Sequence, residues 1–258
     1  MRLAISSQSY DKALSRGKIN LFQLFKIAKE QLKLDGVEIE DKHFKSVESA
    51  HLKEIKDRTD SCGLEIVDIA FFNNYGLKTK EERDKEFENF KKWLSVSQIL
   101  GLRFMRIWAG WPKSKDPVLW NEMIDCLRKS CVLAKKADII LAMENENHGG
   151  FVKDAKSTSR ILNQVDSDNL RLLVDTGNYI DGITSIQKTI HLAVHVHAKF
   201  MELDEEGNEK DIDYYTIFQL LRENHYNGYV SVEYEGKEDE FIAVPRAVNC
   251  IGRHIARR

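Results

Sequence analysis

Four stretches of this chain end an apolar run on groups that can bind a cation or move a proton. "ILAMENENHGG" (140–150) ends on Glu144, Glu146 and His148, and "LRLLVDTGN" (170–178) on Asp175. "AVHVHAKF" (193–200) carries His195, His197 and Lys199, and "YVSVEYEG" (229–236) carries Glu233. Carboxylate oxygens with one imidazole suit Mn²⁺, Mg²⁺, Co²⁺ or Zn²⁺, and the lack of thiolates among them argues against a structural zinc site. Three carboxylates gathered without a cation would repel one another and raise their pKa values, and a bound metal removes that cost. A single acid at a strand end is usually a turn or helix cap, and Asp175 before Thr-Gly-Asn fits that reading by itself. Four such ends in succession are much harder to explain as caps.

For these groups to meet, the chain must gather the ends of successive strands. Short β-branched runs alternate with longer amphipathic stretches along the whole sequence. "LAISSQSY", "GVEIED", "LEIVDIAFF" and "LRFMRIWAGW" read as the first four strands, and the four stretches above as the rest. Between them, segments such as "NLFQLFKIAKEQLKL", "EERDKEFENFKKWLSVSQIL" and "PVLWNEMIDCLRKSCVLAKKA" keep a helical period. Eight such βα pairs, about one per thirty residues, predict a closed parallel (β/α)8 TIM barrel of α/β class, with its chemistry at the C-terminal ends of the strands. No G-x-G-x-x-G follows the first strand, which removes the usual reason to prefer an open dinucleotide-binding sheet. Strand alternation turns Ser231 and Glu233 inward, with His195, His197, Lys199, Leu173 and Asp175, and sets Val230, Val232, Val194, Val196, Leu172 and Val174 outward. Glu144 and Glu146 share one parity with Ala142.

The 258 residues, with three prolines and no low-complexity tract, predict a single domain over 1–258. A net charge of −2 lacks the basic excess that drives most nucleic-acid binding. The first residues contain no apolar segment long enough for a signal peptide, and no run approaches a membrane span. Cys62, Cys126, Cys131 and Cys250 show no CxxC spacing, and Cys131 reads as a small buried hydrophobe. A cytoplasmic location is the default expectation, with no membrane or nucleic-acid partner; self-association into a homo-oligomer stays open.

The order "LAMENE", "LRLLVDTGN", "HVHAK", "GYVSVEYEG" resembles the sugar isomerase and epimerase families of the xylose-isomerase-like barrel superfamily. That superfamily also includes inosose and dehydroshikimate dehydratases and type IV apurinic endonucleases. The resemblance extends weakly over the whole chain and strongly over residues 139 to 236. It implies Glu144, Asp175, His197 and Glu233 as metal ligands, with Glu146 the second choice at the fifth strand. It further implies a small carbohydrate as substrate, with Glu144 and Glu233 moving a proton next to its carbonyl. Lys199 and Arg106 would steady anionic oxygens, and Trp108 and Trp111 would cover the apolar face of a sugar ring. Related sequences commonly have Asp after H-x-K, where this chain has Phe200, which bears on substrate orientation.

The remaining residues have blander readings. His195 is expected to be a hydrogen-bonded neighbour, Arg106 a salt-bridged strand residue, and Trp93 and Trp120 core. His148 is a candidate substrate contact, and "ELDEEGNEKD" (202–211) a solvated loop. His43, His51, His225 and His254 show no supporting pattern. The leading function is a metal-dependent isomerase or epimerase of a sugar, keto-sugar or sugar phosphate. A dehydratase of a cyclic polyol or keto acid is the alternative. An endonuclease is disfavoured, because its zinc cluster needs a histidine where Asn178 stands.

Overall fold

The computed structural model describes residues 1–114 and 116–257 and contains all eight expected strands. They are β1 (Arg2–Ser6), β2 (Gly36–Glu40), β3 (Glu65–Ala70), β4 (Phe104–Ile107), β5 (Ile140–Glu144), β6 (Leu170–Asp175), β7 (Ala193–Phe200) and β8 (Tyr229–Tyr234). They lie in chain order around a closed barrel. The helices are α1 (Asp11–Ser15), α2 (Leu21–Lys26), α3 (Ser49–Cys62), α4 (Lys80–Leu100), α5 (Val118–Lys136), α6 (Ala155–Val165), α7 (Ile183–Thr189), α8 (Tyr214–Glu223) and α9 (Glu240–Ala256). Beyond the sequence reading are the short α1 and a π-helical turn over Ile27–Gln31 that follows α2. No described helix is long and apolar enough to cross a membrane.

The helices start and stop where local chemistry directs. Asn20 with Gln23, Thr79 with Glu82, and Asp154 with Ser157 form reciprocal caps at the starts of α2, α4 and α6. Helix α4 ends at Gly101, whose φ of 71° a side chain would disfavour. Burial of residues such as Leu52, Ile55, Phe90 and Leu127 on the inner helix faces contributes roughly 1.5–3 kcal/mol each. Cys131 is buried and unpaired, as expected. Trp120 is a correction, since in the first turn of α5 it is only half-buried, although Ile124, Leu127 and Cys131 at its spacing are buried. Its indole donates to Gln164 at 2.6 Å, and Arg160 covers its face at 4.0 Å.

The chain divides into two compact units. The first, residues 1–69 with 195–258, carries β1, β2, β8 and most of β3 and β7. Here Ser9 ties the turn after β1 to β8: its hydroxyl donates to the Val232 carbonyl at 3.0 Å and accepts from the Tyr234 N–H at 2.9 Å. Ser7 accepts from the Glu40 N–H at 2.8 Å and bonds His43 Nδ1 at 2.8 Å, while His43 Nε2 lies 3.1 Å from Asp11. Burial pulls the His43 pKa down, and Asp11 opposes this. That histidine, patternless in sequence, is a structural tether. At Gly36 a Cβ would lie 2.5 Å from Val67 Cγ2 and 2.9 Å from Tyr229 Cε1, so strand packing there excludes any side chain. Gly36→Ala should lower stability by about 1–3 kcal/mol, the usual cost of overpacking, in urea unfolding. An unchanged midpoint would show that the strands yield.

The second unit, residues 70–194, carries β4 to β6 and α4 to α7. In it β5 pairs in register with β4 (Arg106↔Ala142) and with β6 (Glu144↔Leu173). Asp175 lies two residues beyond Leu173, so alternation sets it on the same face of the sheet as Glu144.

Candidate functional site

Within the second unit, Glu144 closes β5 and is 2% exposed. Its Oε2 accepts from the Trp108 indole N–H at 2.5 Å and lies 3.2 Å from the Arg106 guanidinium. Arg106 also packs over the Trp108 ring at 4.5 Å. A buried carboxylate facing a guanidinium and an indole donor is held in one orientation by charge-assisted bonds. Trp108 belongs to an aromatic cluster. Its ring meets Trp111 edge-on at 4.6 Å, and Trp111 stacks on the exposed Phe72 at 5.6 Å.

Two asparagines fix this framework, each acting as an extra rung of the sheet. Asn145 donates to the Asp175 carbonyl at 3.0 Å and accepts from the Asp175 N–H at 2.8 Å. Asn73 does the same to Trp108, donating at 2.7 Å and accepting at 2.9 Å. Asp175 Oδ1 also accepts from the Gly177 N–H at 2.7 Å, so the turn-cap reading of this residue holds for one of its oxygens.

Glu146 lies beyond the strand. Its N–H donates to Val152, and Gly150 passes so close that a Cβ there would be 1.7 Å from Glu146 Oε1. Burial raises its carboxyl pKa, opposed by the Trp111 side chain and the Gly150 and His148 N–H groups. His148 is exposed on this loop.

Within the first unit, β7 and β8 set their polar residues side by side, with Lys199 opposite Glu233 and His197 opposite Ser231. The Lys199 ammonium bonds Glu233 Oε2 closely and reaches Glu235 at 3.2 Å. His197 Nδ1 is 3.6 Å from Glu233 Oε2. On the other side of both imidazoles stands Glu38 of β2, fully buried. Its Oε2 lies 2.7 Å from His197 Nε2 and 3.1 Å from His195 Nε2. Burial alone would raise the Glu38 pKa, but His197 and His195 outweigh it and hold the carboxyl below the usual range.

Each unit thus brings part of the expected set together. Arg106, Trp108 and Glu144 meet in one, and His197, Lys199 and Glu233 meet in the other. His195 is the hydrogen-bonded neighbour expected of it, held by Glu38 and, at 3.0 Å, by Ser231. Phe200 points to the helix layer and stacks on Tyr214 of α8 at 5.1 Å, so this position serves packing. Glu38, Asn73 and Asn145 were missed by the sequence reading. The signal for Glu38 was "GVEIE", where two acids on one face of an apolar strand demand partners. In the 202–211 loop, Glu202, Glu205, Glu206, Lys210 and Asp211 are exposed, but Gly207 and Glu209 are buried, and Glu209 accepts from the N–H groups of Met201 and Glu202.

A profile of the xylose isomerase-like TIM barrel family matches residues 25–249. Inosose dehydratase from Clostridium botulinum is 26% identical over 256 aligned positions, 84% of this chain and 83% of that protein. Among solved structures, 3-keto-D-glucoside 4-epimerase from E. coli superposes with a TM-score of 0.76 at 18% identity, covering 99% of both chains. A D-tagatose 3-epimerase-like protein gives 0.79 at 18% identity, covering 99% of this chain and all of the other.

Proposed function

The chain belongs to the xylose isomerase-like TIM barrel family, and we propose that it is a divalent-metal-dependent isomerase or epimerase of a sugar, keto-sugar or sugar phosphate. The observation that carries this reading is a pair of buried strand-end glutamates. Glu144 is bonded by Arg106 and Trp108, and Glu233 by Lys199. Both are fit to take or return a proton. The donor chemistry supports a metal: Glu144, Asp175, His197 and Glu233 are all buried and each offers one ligand atom. Such a set suits Mn²⁺, Mg²⁺, Co²⁺ or Zn²⁺. When bound, the cation would supply Lewis-acid polarisation of the substrate carbonyl.

The protein's own residues do the rest. One glutamate removes the proton α to the carbonyl and the other returns it, on the opposite face in an epimerase or at the neighbouring carbon in an isomerase. Lys199 and Arg106, already bonded to the two carboxylates, orient them and would reach a substrate oxygen only by sharing it with them. Trp108, braced by Asn73 and Trp111, offers an aromatic face to a sugar ring. His148, on its exposed loop, would meet only the solvent side of a substrate. The same reading takes 1–258 as one domain, because the closed strand order draws on both units.

A dehydratase is the second reading, favoured by the resemblance to inosose dehydratase. It would begin with the same proton removal and then expel a β-hydroxyl as water. An endonuclease remains disfavoured, since Asn178 donates to the Asn145 carbonyl at 3.3 Å as a turn residue. Mn²⁺-loaded protein incubated in D₂O with a panel of ketoses, keto-sugars and cyclic polyol ketones tests these readings. Deuterium should appear on the carbon α to the carbonyl of one of them. A dehydratase would give a product lighter by one water, and turnover without solvent label would remove the acid–base roles of Glu144 and Glu233.

A further inference from the structure

An imidazole ligand must present a lone pair to its metal, so one ring nitrogen must carry the proton and the other must not. A neutral histidine with no fixed partner divides between two tautomers, only one of which is competent at a given ligand position. His197 is placed so that this choice is made for it. Its Nε2 is 2.7 Å from Glu38 Oε2, and its Nδ1 is turned the other way, 3.6 Å from Glu233 Oε2.

We infer that Glu38 is a positioning residue: it holds the His197 proton on Nε2 and so presents Nδ1 as the ligand atom. The inference rests on the metal reading above for its consequence, but not for its geometry. An ionised carboxylate only accepts hydrogen bonds, so the ring nitrogen that faces it must be the N–H. Glu38 is fully buried and its Oε2 faces two such nitrogens, those of His197 and, at 3.1 Å, His195. His195 Nε2 is also 3.0 Å from Ser231 Oγ, which braces the second ring against the same carboxylate oxygen. The backbone supports this arrangement. Glu38 pairs in register with Ser6 of β1, and β8 pairs with both β1 and β7, so the strands that carry the acid and the imidazoles are fixed to one another. The role proposed for Glu38 is exercised through His197.

The test has two parts. In metal-free wild-type protein, ¹⁵N-resolved NMR of the histidine rings, assigned with the His197→Asn variant, should show His197 as the Nε2–H tautomer. In Glu38→Gln, whose carboxamide can donate as well as accept, the tautomers should mix. Mn²⁺ affinity measured by calorimetry should fall by about 10–100-fold, the usual effect of losing a carboxylate behind a histidine ligand. A role confined to packing would lower the melting temperature without moving the tautomer ratio. A wild-type spectrum with the proton on Nδ1 overturns the inference, as does a Glu38→Gln protein with unchanged tautomer and unchanged Mn²⁺ affinity. If Glu38→Gln does not fold, the wild-type spectrum decides alone. If wild-type protein binds no Mn²⁺, the metal reading fails while the spectrum still tests Glu38.

Discussion

Glu233→Gln is expected to cut turnover by about 10²–10⁴-fold, the range for loss of a general acid or base. The substitution keeps the size of a side chain that is 2% exposed, so packing barely changes. It removes the basicity of the oxygen that faces Lys199 and His197. It also weakens one proposed metal ligand, so metal content has to be measured on the same sample as the rate. The diagnostic result is a large loss of turnover that persists when Mn²⁺ is supplied in excess. Glu235→Gln is the control: its carboxylate is partly exposed and meets Lys199 at 3.2 Å and the Gln8 side chain at 3.2 Å, so turnover should change by a few-fold at most. Equal effects of the two substitutions would remove Glu233 from the proton-transfer role.

The second large effect separates the two glutamates of "ENEN". Glu144→Gln should lose most bound metal and nearly all activity, because it neutralises the strand-end carboxylate that Arg106 and Trp108 hold in place. It also leaves the buried Arg106 facing a neutral amide, a cost of several kcal/mol when a buried ion pair is broken from one side. A lower melting temperature should accompany the loss of metal. Glu146→Gln should keep its metal and lose far less activity, since that carboxyl lies against Gly150 beyond the end of β5. Its pKa is already raised by burial, so the neutral amide resembles the form that burial favours. Metal analysis of both purified variants reads the difference. The reverse ranking would move the fifth-strand ligand from Glu144 to Glu146.

The barrel was legible because its eight strands are short and β-branched and its long helices keep a clear period. Alternation alone told which side of β7 and β8 carries His195, His197, Lys199, Ser231 and Glu233, and the pairing of Lys199 with Glu233 agrees with that parity. Helix α1 has only five residues, too few for a periodic signal, and the π-helical turn after α2 leaves no mark in an apolar pattern. Trp120 misled because its spacing to the buried Ile124, Leu127 and Cys131 fits the inner face, yet in the first turn of α5 it is only half-buried.

At the site, ligand-type residues were visible and their supports were not. An asparagine after a strand reads as a turn residue. Nothing local reveals that Asn145 and Asn73 bond the backbone of a strand about thirty residues away. His43 and Ser7 are similarly mute until the fold sets them 2.8 Å apart. Glu38 lies on a strand distant in sequence from both imidazoles, so its partners could be demanded but not named.

The central claim is that Glu144, Asp175, His197 and Glu233 hold one divalent cation. Elemental analysis of protein purified without chelator, followed by thermal unfolding before and after metal removal, tests it most directly. One equivalent of Mn²⁺, Mg²⁺, Co²⁺ or Zn²⁺ per chain is expected. Re-addition at a thousandfold excess over Kd should restore about 4 kcal/mol of stability to the stripped protein. Protein that carries no metal, and whose melting temperature does not move when Mn²⁺ or Zn²⁺ is added, would contradict the account.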